Sequence, residues 1–507
     1  MDQARCAYDR AIIAWHRILN KCPRIQVFEF SDPTGSIRMI PMAGAPSAAP
    51  ARTSQIAARL DRLPMTRSLW RLVVLISLAG VFEFYDIFLS TYIAPGLVGS
   101  GIFAGSTTGP FATNSVGFFI FSTFAGMFAG CMGFGSIADR LGRRAILISS
   151  LLWYSLATAT MAFQNTAVGV DLWRFVASVG IGVELVTIDT FLAELVPPHA
   201  RGKAFAFGQF IEFSVVPVVA LLGWLLVPKQ TLGLQGWRWV TLIGSAGALL
   251  AWQLQRRLPE SPRWLAVHKR EAEAERVMAD LEARVSRDAC RPLQPPCPPL
   301  ASVAGASGLR EIFRPPYGKR TLVMSVFNLM QTVAFYGFGA WVPTLLIAKG
   351  IHISTSLEYA FIIAIANPVG PLLGMLIADR MERKWQLVLA GVSIGAFIYL
   401  FANQSNPLLV ILFGVMVTLS NNWMSVALHN YQGELFPTRI RGRAVGFVYA
   451  WSRATAAFAG LLIGLLLRQG GTPAVALFIS AAMLIMVLTI GAFGPRTKGL
   501  ALEDISK

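Results

Sequence analysis

Charge is what this sequence has least of. Only 14% of its 507 residues are Asp, Glu, Lys or Arg, while 54% are hydrophobic and mean hydropathy is +0.56. Soluble domains carry about 25% charged residues. One soluble core cannot bury this much apolar surface, and the bilayer is the solvent that suits it. Cysteine is also sparse: Cys6, Cys22, Cys131, Cys290 and Cys297 show neither metal-ligand spacing nor a disulfide framework. P-loop, nucleophile elbow and metal-ligand cluster are all missing, which argues against an enzyme, a cofactor or metal, and ATP-driven transport by this chain. The first 66 residues contain no uninterrupted apolar run of the kind a secretory signal needs. No soluble signalling domain is evident, which disfavours a receptor.

What charge there is has a sign and a place. The net charge is +17, and the basic residues sit in short blocks between apolar runs. That is the pattern of cytoplasmic loops rather than of a nucleic-acid surface. Apolar runs of spanning length predict twelve transmembrane helices, at 71–95, 113–137, 145–164, 170–194, 203–227, 237–256, 321–346, 358–379, 385–402, 407–432, 442–467 and 472–493. The chain therefore reads as an all-α membrane protein. A disordered N-terminal extension (1–67) precedes a six-helix bundle (68–256). A polar central loop (257–319), a second bundle (320–495) and a tail (496–507) follow. Within the extension, 56–67 is expected to lie as a basic helix on the membrane surface. The central loop holds a charged helical stretch, HKREAEAERVMADLEARV, expected to be solvated, and a Pro-rich linker. The Lys and Arg bias places both termini and the central loop in the cytoplasm of a cell with an inner (plasma) membrane.

One feature duplicates. IADR stands at 137–140 and again at 377–380, 240 residues apart; AELVPPHARGKAFAF starts at 193 and GELFPTRIRGRAVGF at 433, again 240 apart. Two motifs sharing one offset imply two homologous halves. Parallel halves of this kind place a substrate site at their interface.

GSIADRLGRR (135–144) resembles the loop motif of the major facilitator superfamily; in the second copy Glu382 replaces Gly142. PESPRWL (259–265) and PRTKGLALEDI (495–505) are similar to motifs of its sugar porters. The resemblance implies a secondary transporter. It also implies cytosolic latches, one from Asp139, Arg140, Arg144, Glu194 and Arg201, the other from Asp379, Arg380, Glu434 and Arg441. Such latches are expected to hold the outward-open state and to break as the protein opens inward.

Ionisable residues inside spans are costly and usually functional. Glu83 and Asp86 lie in the first span. The FYD at 84–86 resembles the first-helix element of proton-coupled sugar and aromatic-acid symporters. Arg174, in a stretch resembling the family's fourth-helix motif, is the expected partner of Asp86. Glu184 and Asp189, five apart, do not share a helix face well, so one is expected to face the cavity and the other the bundle. These five form the expected proton-coupling group. In the second half Arg453 lies too deep to snorkel and suits a carboxylate. Asn328, Gln331, Tyr336, Trp341, Asn422 and His429 complete the expected substrate contacts. The expected function is symport of protons with a small organic anion by a monomer in the lipid bilayer. A sugar symporter and an exporter are the alternatives.

Overall fold

Helix ends fall where the sequence supplies an acceptor. Ser115, Thr166, Ser261 and Asn406 each accept a backbone N–H in the first turn they precede. The computed structural model describes residues 52–103, 115–256, 258–289, 293–296, 309–315, 317–378, 381–436 and 438–496. The helices are α1 (Arg52–Asp61), α2 (Arg67–Gly99), α3 (Val116–Leu141), α4 (Arg143–Ala162), α5 (Ala167–Leu195), α6 (Arg201–Phe213), α7 (Val215–Leu226), α8 (Gly236–Gln255), α9 (Pro262–Val267) and α10 (Glu271–Ala289). They continue with α11 (Tyr317–Gly339), α12 (Val342–Ala348), α13 (Ile353–Ala364), α14 (Ala366–Ala378), α15 (Arg383–Asn403), α16 (Pro407–Leu435) and α17 (Thr438–Phe493). A two-stranded hairpin, Gln230–Thr231 with Leu234–Gln235, precedes α8.

Ten helices among the described residues are long and apolar enough to cross a membrane. The last of them, 50 residues long, is interrupted at Gly471 (φ 64°) beside Pro473 and so makes two crossings. The 20 residues of α8 fill the sixth place of the first half, completing twelve. Two other crossings are broken. Pro217 cannot donate to Phe213, and the chain divides at Ser214, whose hydroxyl donates back to the Phe210 carbonyl at 2.6 Å. Pro368 likewise leaves the Ala364 carbonyl free, and the Asn367 amide donates to it at 3.0 Å.

Packing within the first half depends on absent side chains. A Cβ on Gly126, Gly130 or Gly182 would lie 2.4 Å or less from the facing backbone of α5 or α3, so these helices touch main chain to main chain. The two halves meet along α2–α12, α3–α17, α6–α14 and α7–α13. Trp224 stacks on Phe361 across one seam, and Phe124 meets Tyr336 with ring centroids 4.5 Å apart across another.

The expected surface helix and the expected solvated helix are instead partners. On α1 and just beyond it, Ile56, Leu60 and Leu63 are buried. On α10, Ala274, Met278, Leu281 and Val285 are buried at helical spacing. The apolar faces have each other to cover, which is why neither lies free. Arg59 pairs with Glu275 at 2.8 Å and with Glu282 at 2.7 Å. Arg62 also pairs with Glu282, and Asp61 pairs with Arg263 on α9. Asp288 accepts from the Ser68 backbone N–H at 2.7 Å, at the positive end of α2. Residues 52–61 of the extension are therefore ordered and clipped to the central segment.

Burial raises the Glu282 carboxyl, but hydrogen bonds and charge from Arg59 and Arg62 outweigh it and hold the group below its usual range. A depressed folded-state pKa contributes stability that is present above the unfolded value and lost as pH falls through the folded one. We expect amides of 52–61 to be protected from hydrogen exchange at pH 7. Protection should be lost below about pH 4, and already at pH 7 in Glu282→Gln. Equal protection in that variant at pH 7 would exclude the ion pairs as the clip.

Candidate functional site

A cavity of about 550 Å³ lies between the halves. Its walls come from α2, α5, α6, α11, α16 and α17, and it extends to His199, Lys203 and Arg383 on the face that carries the basic loops. Phe84, Phe213, Phe335 and Tyr336 are among its apolar walls. A separate cavity of about 30 Å³ contains Phe88, Tyr92, Phe338 and Asn422. The main chamber therefore opens on the basic-loop side.

Arg453 is 4% exposed and lines this chamber. Its guanidinium donates to the Tyr336 hydroxyl at 2.8 Å and to the Tyr449 hydroxyl at 3.3 Å, and it lies over both rings. Its Nε has no partner. Its hydrogen-bond partners are neutral hydroxyls rather than a carboxylate, which leaves the fork free to take an anion. Gln331, Tyr336 and His429 also line the chamber, His429 donating from Nδ1 to the Ser425 carbonyl at 2.8 Å.

Three expected substrate contacts lie elsewhere. Asn328 is fully buried and donates to the Met324 carbonyl within its own helix at 2.8 Å. Trp341 is buried against Gly464 at the seam between halves. Asn422 donates to the Asn367 carbonyl at 3.1 Å and lines the smaller cavity. Residue type and span were right for polar contacts, but local hydrogen bonds and packing hold these three off the chamber wall.

Asp86 and Arg174 form a sealed pair. The Arg174 guanidinium donates to the Asp86 carboxylate at 2.9 Å, to the Asp86 backbone carbonyl at 2.6 Å, and from Nε to the Thr123 hydroxyl at 3.0 Å. Thr158 donates to the other carboxylate oxygen at 3.1 Å. Arg174 is 0% exposed, and neither residue lines the chamber. Glu83, one turn earlier on α2, is buried yet does line it, with one carboxyl oxygen unpartnered. The expected division of Glu184 and Asp189 is found in the structure: Asp189 lines the chamber, and Glu184 is fully buried with both oxygens unpartnered.

The loop motifs pair differently from the expectation. Glu194 is held by Arg143 at 3.1 Å, and Glu434 by Arg383 at 3.3 Å. Arg144 instead offers its backbone N–H, with that of Arg143, to Glu260 of PESPR at 3.2 and 3.0 Å. Glu260 thus caps α4 at its positive end. Gly142, at φ 101°, leaves room for that carboxylate, which a Cβ would approach to 2.5 Å. Arg201 donates to the Val196 carbonyl of its own turn at 3.1 Å, and Arg140 is exposed. Asp379 and Arg380 lie outside the described residues, as do the side chains of Asp139 and Arg441. Both carboxylate–guanidinium pairs are intact while the chamber is open on their own face. Each joins two helices of a single half, so rocking between halves does not stretch it. These two pairs each brace a half; the carboxylates of Asp139 and Asp379 in the expected latches lie outside the described residues.

Sequence reasoning missed Arg143, Arg383, Glu260 and Glu212. The first two carried a signal, being 240 residues apart like the glutamates they hold. Glu260 stood inside a quoted motif. Glu212, an acid within the fifth apolar run, lines the chamber and bore the same signal as Glu83.

Two six-helix halves around a chamber with a buried cation define a membrane transporter of the major facilitator fold. The family described as "Sugar (and other) transporter" matches residues 72–507, and the chain belongs to it. It is 28% identical over 462 residues to the inner membrane metabolite transport protein YdjE of Escherichia coli, covering 89% of this chain and 98% of that one. It is 24% identical over 453 residues to the niacin transporter NiaP of Acinetobacter baylyi, covering 89% and 99%. The xylose transporter XylE of E. coli, in a partially occluded inward-open conformation, superposes with a TM-score of 0.69 at 18% identity, covering 85% of this chain and 99% of that one. The protein is a multi-pass membrane transporter, not an enzyme.

Proposed function

We propose that this transporter moves a small organic acid together with protons by alternating access, as a monomer in an inner membrane with both termini in the cytoplasm. The observation that carries the reading is Arg453: a buried guanidinium, hydrogen-bonded to tyrosine hydroxyls and not to a carboxylate, on the wall of the inter-half chamber. A planar fork of donors suits a carboxylate better than a sugar hydroxyl. The name of the niacin-transporting relative supports a carboxylate solute.

Asp86 and Arg174 supply the coupling. A proton on Asp86 removes the charge that holds Arg174, and its loss restores the pair. Glu83 faces the chamber one turn away and gives the sealed pair its access to water. Asp189 receives protons at the chamber wall, and Glu184 forms a second buried site. Arg453, Gln331, Tyr336 and His429 hold the solute. The basic loops, facing the cytoplasm by charge bias, make the observed chamber inward-open.

A thermal-shift screen of the purified protein tests this. A ligand of the folded state raises the melting temperature. Aromatic and heteroaromatic monocarboxylates should do so, and hexoses and pentoses should not. A shift with sugars alone would replace the acid reading with a sugar symporter.

A further inference from the structure

Glu212 has no part in the proton pair and none in the cytosolic braces. It is the penultimate residue of α6, one turn before Pro217 and next to the break at Ser214. Its side chain lies in a notch that Gly80 leaves in α2: a methyl there would come within 2.6 Å of the Glu212 Cγ and 2.7 Å of its Oε1. Gly80 and Glu83 are three residues apart and share a helix face, so Glu212 is delivered beside Glu83. Glu83 is 2% exposed, lines the chamber, and has a carboxyl oxygen with no partner. Its electrostatic neighbours are Glu212, Arg453 and Asp189.

The ionisable groups of the chamber are therefore segregated by wall. The α2–α6 wall presents Glu83 and Glu212, with Asp189 adjacent on α5; the α11–α17 wall presents Arg453 between two tyrosines. Lys203, His199 and Arg383 lie at the loop end of the same space, and His429 is on the α16 wall. A simple anion seated on Arg453 brings negative charge toward the carboxyls of Glu83, Glu212 and Asp189. A solute with a positive centre beyond its carboxylate meets favourable charge at both walls.

We propose that Glu212 and Glu83 form a carboxyl subsite facing Arg453, ionised when a cation sits on it, so that the preferred solute carries both a carboxylate and a cationic nitrogen. This rests on the reading of Arg453 as the carboxylate contact.

The test is binding to the purified full-length protein at pH 7 of two probes of equal size. One is the permanent zwitterion N-methylpyridinium-3-carboxylate and the other is 3-methylbenzoate. The wild type should bind the zwitterion about tenfold more tightly, a difference of about 1.4 kcal/mol. Glu212→Gln should bring the two affinities together without weakening 3-methylbenzoate. Gly80→Ala, which displaces the Glu212 carboxyl without removing it, should reduce the preference as well. Melting temperatures without ligand verify that each variant is folded. A wild-type protein with no preference for the zwitterion overturns the subsite even if a variant fails to fold, and so does a preference unchanged in folded Glu212→Gln. In both cases Arg453-dependent binding of 3-methylbenzoate leaves the carboxylate reading standing. Binding of neither probe overturns both.

Discussion

Asp86→Asn should abolish uphill, proton-driven uptake while leaving exchange of internal for external solute. The carboxylate sits 2.9 Å from a guanidinium that is 0% exposed, and that guanidinium also grips the Asp86 carbonyl and Thr123. Asn preserves the shape and one acceptor but cannot gain and lose a proton. It also leaves Arg174 as an uncompensated buried charge, a change that costs about 3–5 kcal/mol when one partner of a buried pair is removed. The variant should melt at a lower temperature for that reason alone. The double variant Asp86→Asn/Arg174→Gln separates the two effects: removing both charges should restore the melting temperature and should not restore uphill uptake. Reconstituted vesicles with an imposed pH gradient provide the measurement. Normal accumulation by Asp86→Asn would exclude it as the proton site, and recovery of accumulation in the double variant would make the pair purely structural.

The second large effect is expected at Arg453. Hydrogen bonds to a charged group contribute about 1.5–3 kcal/mol, so Arg453→Gln should weaken a carboxylate solute by about 10- to 150-fold. Tyr336 and Tyr449 remain to fill the wall. The loss should appear in KM for uptake and in the dissociation constant measured by titration, with little change for an uncharged solute of the same shape. Lys in place of Arg should recover only part of the affinity, because an ammonium does not reproduce the planar fork that both tyrosines hold. Unaltered uptake kinetics in Arg453→Gln would remove this residue from the site.

The two residues divide the work between the halves. Asp86, Arg174 and Glu184 have the uncharged counterparts Val326, Gly414 and Met424 at the 240-residue offset. The braces are duplicated, Arg143–Glu194 and Arg383–Glu434, each pair 51 residues apart in the chain. Duplication thus preserved what stiffens a half. On the proposed function the chemistry diverged, with proton exchange assigned to one side and solute recognition to the other.

Much of this was determined by the sequence alone. Apolar length dictates membrane crossings, because a helix in lipid must satisfy its backbone internally and span a fixed thickness. The offset of 240 dictates two halves. An acid and an arginine within apolar runs dictate a pair, since neither can be left alone in such surroundings. Tertiary structure decided what depends on side-chain packing and on contacts between distant segments. It turned Asn328, Trp341 and Asn422 out of the chamber and brought Glu212 into it. It gave Glu194 to Arg143 rather than Arg144, whose guanidinium donates instead to the Arg256 carbonyl, more than a hundred residues away. It folded α1 onto α10, where two amphipathic faces and opposite charges meet. A sequence shows that a residue is costly to bury; which neighbour offsets that cost is decided only when the helices pack.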